Sequence, residues 1–207
     1  MDIINNIDAA DKSATLFLNH DMGSYADSIF WAYSSRLIWI PVALLFLYCV
    51  MKKKDANWKT KLLIVAGLVL TITLCDQIAS SLFKPLVARY RPSHDIEIAS
   101  MLHYVNNYHG SKYGFMSSHA ANAFGAAMIG SKIIRRRAFT IFLFALAFVV
   151  AYSRIYLGVH FLGDVVCGAL VGIIVGYAMY TAIAYINRRF GMFRPVAGTH
   201  SIQKIKQ

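Results

Sequence analysis

The chain is poor in charge and poorer still in acid. Only 15% of its 207 residues are charged, and Asp and Glu together number 10 against 21 Lys and Arg. Half of those acids, Asp2, Asp8, Asp11, Asp21 and Asp27, sit in the first stretch of chain. The later connections hold no paired aspartates of the kind that grip Mg²⁺ on a diphosphate. That argues against a metal-dependent prenyltransferase or phosphatase, and neither metal nor cofactor is expected. Cysteine is scarce too. Cys49, Cys75 and Cys167 each lie inside an apolar run, so they read as buried thiols and neither a disulfide framework nor a zinc spacing is present. The N-terminus also lacks the basic region of a secretory signal peptide.

What the chain has in quantity is apolar surface. Hydrophobic residues make up 57% of it, and the mean hydropathy is +0.50. A soluble domain needs more polar surface than this, so the expected class is all-α, a polytopic transmembrane helix bundle. Five apolar runs, 29–51, 62–83, 117–134, 138–157 and 161–186, approach the ~20 residues needed to cross a hydrocarbon core as helix, and six spans remain an alternative. The third run is rich in Ala, Gly and Ser and suits the middle of a bundle better than its lipid-facing rim. The expected division is an N-terminal segment 1–28, a transmembrane domain 29–187 and a tail 188–207. Ile3, Ile4, Ile7, Leu16 and Phe17 make the first segment a candidate interfacial helix.

The net charge of +11 invites a nucleic-acid partner, but its distribution does not. The basic residues fall in short clusters between apolar runs: Lys52, Lys53, Lys54, Lys59 and Lys61, then Lys132, Arg135, Arg136 and Arg137, then Arg188, Arg189, Arg194, Lys204 and Lys206. Five antiparallel spans put all three on one side, which the positive-inside rule makes cytoplasmic. The N-terminus and the connections after the second and fourth runs then lie outside, and the tail inside. A membrane lipid is the expected partner, and no protein partner is evident.

Three segments at the outer ends of the runs carry chemistry. Lys84 offers a point charge and Arg91 a planar fork of donors, a pair suited to phosphate oxygens, although a basic stop at an interface looks similar. Ser117, Ser118 and His119 open the third run. A helix starting there presents free N–H groups at Ser118 and His119, with Ser117 as N-cap or hydroxyl donor and His119 able to protonate a leaving group. In the third segment, a fifth span beginning near Val159 would set His160 and Asp164 one turn apart on a single helix face. The carboxylate would then orient an imidazole that acts as nucleophile or base. Arg154 adds a third cation, and such groups are costly to keep beside a membrane for packing alone.

The order and spacing of Lys84, Arg91 and Pro92, then Ser117 and His119, then Ser153, Arg154, His160 and Asp164 resemble the three-part signature of the type 2 phosphatidic acid phosphatase (PAP2) superfamily. The resemblance covers Lys84 to Asp164 and implies roles. His160 attacks phosphorus, Asp164 orients it, and His119 protonates the departing lipid oxygen. Lys84, Arg91, Ser117, the Ser118 N–H and Arg154 hold the phosphate. One departure is Met116-Ser117-Ser118-His119 where the family usually has Pro-Ser-Gly-His; it removes a preset φ and narrows the approach to the backbone. Vanadium haloperoxidases share the signature but are soluble. The implied activity is metal-independent hydrolysis of a lipid phosphate or diphosphate. Undecaprenyl diphosphate is the leading substrate, and lipid A is the alternative. A non-enzymatic lipid flippase would instead call for polar residues through the full depth of the bundle.

Two further expectations concern packing. Gly168, Gly172 and Gly176 recur every fourth residue, a small-xxx-small row for close helix contact inside the bundle or in a dimer, the former being favoured. Arg36 and Asp76 are ionisable residues well inside runs and away from the motifs. Their similar depth makes a mutual ion pair the economical arrangement.

Overall fold

A computed structural model describes residues 2–190, without the side chains of Asp2 and Arg36. The expected tail beyond residue 190, and Arg36's half of the pair with Asp76, lie outside the described residues. What is described is helical, with no sheet and one isolated bridge between Tyr90 and Tyr113. The helices are α1 (Asp2–Leu18), α2 (Ser24–Ser34), α3 (Trp39–Met51), α4 (Trp58–Gln77), α5 (Lys84–Val87), α6 (Ser118–Ile134), α7 (Arg137–Tyr156) and α8 (Leu162–Arg189).

Three helical stretches are long and apolar enough to cross a membrane: Trp58–Val87, Arg137–Tyr156 and Leu162–Arg189. The first expected run is broken. Ser35 adopts an extended conformation, with φ −79° and ψ 156°, and separates α2 from α3. The second run is longer than its hydropathy implied. It starts at an Asn57 cap, whose side chain accepts from the Thr60 N–H at 2.9 Å. It then passes through a π-helical stretch at Ile78–Phe83 into α5. Such a stretch carries an extra residue per turn and re-aims everything after it, here Lys84. The helix stops where Ala88 turns left-handed at φ 49°.

The helix α6 lies at the centre, packed most extensively on α8 and then on α7 and α4. Its many buried small residues explain why. Among lipid tails there is no hydrophobic gain in joining two helices, so association depends on close backbone approach. The glycine row of α8 provides it. A Cβ at Gly168 would lie 2.5 Å from the Ser117 carbonyl oxygen, and one at Gly176 would lie 2.5 Å from that of Gly125. At Gly172 it would collide with the Ala121 carbonyl. The row is therefore an intramolecular contact, and the dimer alternative falls because α6 already covers it. Away from the motifs, Phe46, Val50, Ile64, Ile129, Ile133 and Ile183 close the bundle.

The first segment is a helix, but its faces are inverted. Ile3, Ile4, Ile7 and Phe17 point away from the protein, while Asp8, Asp11, Lys12 and Thr15 dock on it. Chain connectivity gathers the ends of α4, α5 and α7 and the starts of α6 and α8 at one end of the bundle. The connections carrying Lys52 to Lys54 and Arg135 to Arg137 lie at the other.

Candidate active site

All eight residues expected from the sequence lie at the end where α6 and α8 begin. Ser117 is the N-cap of α6; it is fully buried and its Oγ accepts from the Ala120 N–H at 3.4 Å. The Ser118 and His119 N–H groups are taken by no acceptor among the described residues. His160 and Asp164 do not share a helix as expected. Gly158 is left-handed at φ +68°, and Phe161 is extended, so α8 starts only at Leu162. His160 therefore precedes the helix, and Asp164 reaches back across its N-terminus. One Asp164 oxygen, Oδ2, accepts from the Phe161 N–H at 3.1 Å and lies 3.4 Å from His160 Nδ1.

The other face of the imidazole fixes its tautomer. Arg91 Nη1 lies 3.1 Å from His160 Nε2 and donates to the Val159 carbonyl at 2.8 Å. A guanidinium can only donate, so Nε2 is the acceptor and the proton sits on Nδ1, toward Asp164. Burial pushes the His160 pKa well below its ordinary 6.5, and the charges of Arg91, Arg154 and Lys84 push it further. A neutral ring with an unprotonated Nε2 is the form that attacks an electrophile.

Cations crowd this nitrogen. Arg91 is itself pulled down to about 10, by burial first and then by Arg154. Arg154 is buried, donates to Ser34 Oγ of α2, and lies 5.9 Å from the Tyr108 ring. The Nε atoms of both Arg91 and Arg154 are buried without a partner among the described residues. Buried guanidinium donors are almost never left unmade without a reason. Two of them around one imidazole, beside an open helix N-terminus, form a receptor for a tetrahedral oxyanion. Lys84 is half-buried, 3.4 Å from Ser80 Oγ.

The segment between Pro92 and Met116 roofs the site. Ser111 Oγ accepts from Arg91 Nη2 at 3.1 Å. The Arg91 N–H donates to the Lys112 carbonyl at 3.1 Å, and the Gly114 N–H to that of Arg89 at 2.9 Å. Glycine is needed at 114, because a Cβ there would lie 2.9 Å from Asp164 Oδ2. One histidine of this segment, His103, anchors it to α2. His103 Nε2 lies 2.8 Å from Asp27 Oδ1, which also accepts from the Tyr156 hydroxyl at 2.6 Å. Asp27 and His103 form a group of potential ligand atoms with Asp21, in which Asp27 and His103 are already joined to each other.

Sequence reasoning missed a second layer. Arg89 Nη1 lies 3.3 Å from Asp164 Oδ1 and 2.8 Å from Asp11 Oδ2, and Nη2 lies 3.0 Å from Asp8 Oδ1. The guanidinium also covers the Phe161 ring at 4.0 Å. Its pKa is raised by Asp11, Asp164 and Asp8 against the opposing effect of burial. Asp11 Oδ1 accepts the Gly163 N–H at 2.8 Å, and Thr15 Oγ1 accepts that of Leu162 at 3.0 Å. The helix α1 thus supports the aspartate behind the imidazole. In the sequence, the only signal was a third cation between Lys84 and Arg91.

Comparison with known proteins agrees with this geometry. The chain is 36% identical over 180 residues to a lipid A 4'-phosphatase of Porphyromonas gingivalis, covering 87% of this chain and 75% of that protein. It is 36% identical over 189 residues to a lipid A 4'-phosphatase of Bacteroides thetaiotaomicron, covering 91% and 83%. Among solved structures it resembles a PAP2-type phosphatidylglycerolphosphate phosphatase of Bacillus subtilis, with a TM-score of 0.65 at 18% identity over 92% of this chain and 90% of that one. It also resembles the LpxE protein of Aquifex aeolicus, with a TM-score of 0.59 at 22% identity over 82% and 93%. The PAP2 superfamily profile matches residues 61–188, from the start of the long α4 helix to the end of α8. The chain belongs to the PAP2 superfamily and is a membrane lipid phosphatase of that family.

Proposed function

We propose that this enzyme removes a phosphate from lipid A, on the extracytoplasmic side of a bacterial inner membrane, through a phosphohistidine. One observation carries the chemistry: the unpartnered Nε donors of Arg91 and Arg154 flank an imidazole whose Nε2 is unprotonated. In the first step His160 Nε2 forms a bond to phosphorus as the bond to the lipid oxygen breaks. His119 delivers its proton to that oxygen. In the second step water attacks the phosphohistidine, returns a proton to His119, and inorganic phosphate leaves. Arg91, Arg154, Lys84, the Ser118 N–H and Ser117 stabilise the equatorial oxygens, whose charge is spread in the transition state. Asp164 holds the Nδ1 proton in place.

The substrate reading rests on the two lipid A 4'-phosphatases, each matched over most of its length. The sidedness rests on the basic connections at the end of the bundle away from the site. It implies that 1–28 lies outside, 29–187 forms the transmembrane domain and 188–207 lies in the cytoplasm. Phosphate release in detergent from lipid A, undecaprenyl diphosphate, phosphatidylglycerol phosphate and phosphatidic acid tests the substrate. Lipid A should give the highest kcat/KM, and a clear preference for undecaprenyl diphosphate would restore the other reading. EDTA should leave the rate unchanged, because the three cations and the helix N-terminus already provide the positive field. Loss of activity with EDTA and recovery with Mg²⁺ would refute the metal-free mechanism.

A further inference from the structure

A cavity of about 750 Å³ opens beside Ser118 and His119 and runs between α3, α4 and α6. Its far wall, with Val42, Phe46 and Leu143, is apolar, as a lipid chain requires. Nearer the site the lining changes character, with Asp76, Gln77, Ser80 and Asn122 facing the same space. Asn122 follows His119 by three residues, so it lies about 5 Å further along the α6 axis. These polar groups stand where the part of the lipid next to the scissile oxygen must pass.

Their hydrogen-bonding needs are specific. Asp76 makes no hydrogen bond or ion pair within contact distance among the described residues, although its charge acts on Lys84, and an ionised carboxylate only accepts. Asn122 Oδ1 is a buried acceptor without a partner. An acceptor inside a membrane protein without a donor is costly, and both groups line the cavity, so a donor-bearing group that enters it meets two acceptors. A polyisoprenyl chain carries no N–H or O–H. An N-acylated amino sugar carries both, a few bonds from its phosphate. We infer that Asp76, with Asn122 beside it, is a specificity-determining subsite that binds the amide and hydroxyl donors of the sugar bearing the phosphate. This inference rests on the lipid A reading and adds the residues that choose that lipid.

The experiment is a ratio. The kcat/KM for lipid A and for undecaprenyl diphosphate are measured for the wild type, Asp76→Leu, Asp76→Asn and Asn122→Leu. Folding is monitored by thermal stability in detergent. Losing a hydrogen bond to a charged acceptor should lower the lipid A to undecaprenyl diphosphate ratio by about 10- to 100-fold in Asp76→Leu, mainly through the lipid A KM. Asp76→Asn keeps the shape and should lower the ratio less, which preserves the test if the leucine variant misfolds. Asn122→Leu should move the ratio in the same direction. A wild type active on lipid A whose ratio stays constant in all three variants would overturn this inference alone. A wild type that hydrolyses undecaprenyl diphosphate and leaves lipid A intact would overturn the substrate reading and this inference with it.

Discussion

Two helices begin side by side at the site, and their N-termini are treated in opposite ways. At the start of α8 three successive N–H groups are filled by the protein. Asp164 takes that of Phe161, Thr15 that of Leu162 and Asp11 that of Gly163. At the start of α6 the Ser117 hydroxyl serves Ala120 alone, and the Ser118 and His119 N–H groups stay open. The two starts are tied together, since the Ser117 N–H donates to the Asp164 carbonyl at 3.0 Å. Each helix N-terminus carries about half a positive charge and attracts an anion. The protein satisfies one with its own side chains and leaves the other open, the place the proposed mechanism gives to the substrate phosphate. The anion that binds at α6 then meets an imidazole whose supporting aspartate is anchored at α8.

Breaking the nucleophile on the α8 side should have the largest effect. His160→Ala removes the group that attacks and should lower kcat on the order of 10⁶-fold, while the purified protein keeps its thermal stability. Near-normal turnover would end the phosphohistidine mechanism. Asp164→Asn keeps the ring but loosens its tautomer, and comparable changes cost roughly 10⁴-fold. Arg154→Lys and Arg91→Lys come next. An ammonium cannot reproduce the fork, so each should lose roughly 10²- to 10³-fold in kcat; activity within a few-fold of wild type would show that a point charge suffices.

The filling of α8 itself can be tested more gently. Asp11→Ala frees the Gly163 N–H and releases Arg89, and loss of a cap costs about 1 kcal/mol. The expected result is a lower melting temperature in detergent with a modest fall in kcat. An unchanged melting temperature would mean that α1 contributes nothing to the site. The smallest effect is on pH dependence. His160 must be unprotonated to attack, and its pKa lies well below 6.5. Protonation of His160 should therefore impose no loss of rate on the wild type as pH falls through 6.5, and the acid limb that it sets should lie below that. Arg91→Gln removes one repelling cation, so the His160 pKa rises and the acid limb of kcat/KM should move to higher pH. Movement to lower pH would contradict this electrostatic account.

The eight candidate residues, which the structure brings to one end of the bundle, could be picked out because each motif is local in sequence and its chemistry is costly in a membrane. The supporting layer was not. Arg89 meets Asp164 across 75 residues and Asp11 across 78, a pairing no local pattern encodes. The inverted faces of α1 hid it further, since its apolar residues point away from the protein and its polar ones dock. The early start expected for α8 near Val159 failed for a different reason. Hydropathy runs unbroken through that region, and only the left-handed Gly158 interrupts the helix. The π-helical stretch before Lys84 is likewise invisible to composition.

The glycine row of α8 acts as a spacer gauge. Gly168, Gly172 and Gly176 determine how far α8 stands from α6, and the starts of the same two helices hold the aspartate behind the proposed nucleophile and the proposed phosphate cradle. From Asp164 to Gly172 is about 12 Å of helix. A side chain wedged in at Gly172, far from any reacting atom, would part the two helices and widen the gap the phosphate must bridge. A misplacement of 1 Å at a reacting centre can cost about 10²-fold in rate. The tolerance of the chemistry at the membrane surface is therefore machined in the middle of the bilayer, by residues with no side chain at all.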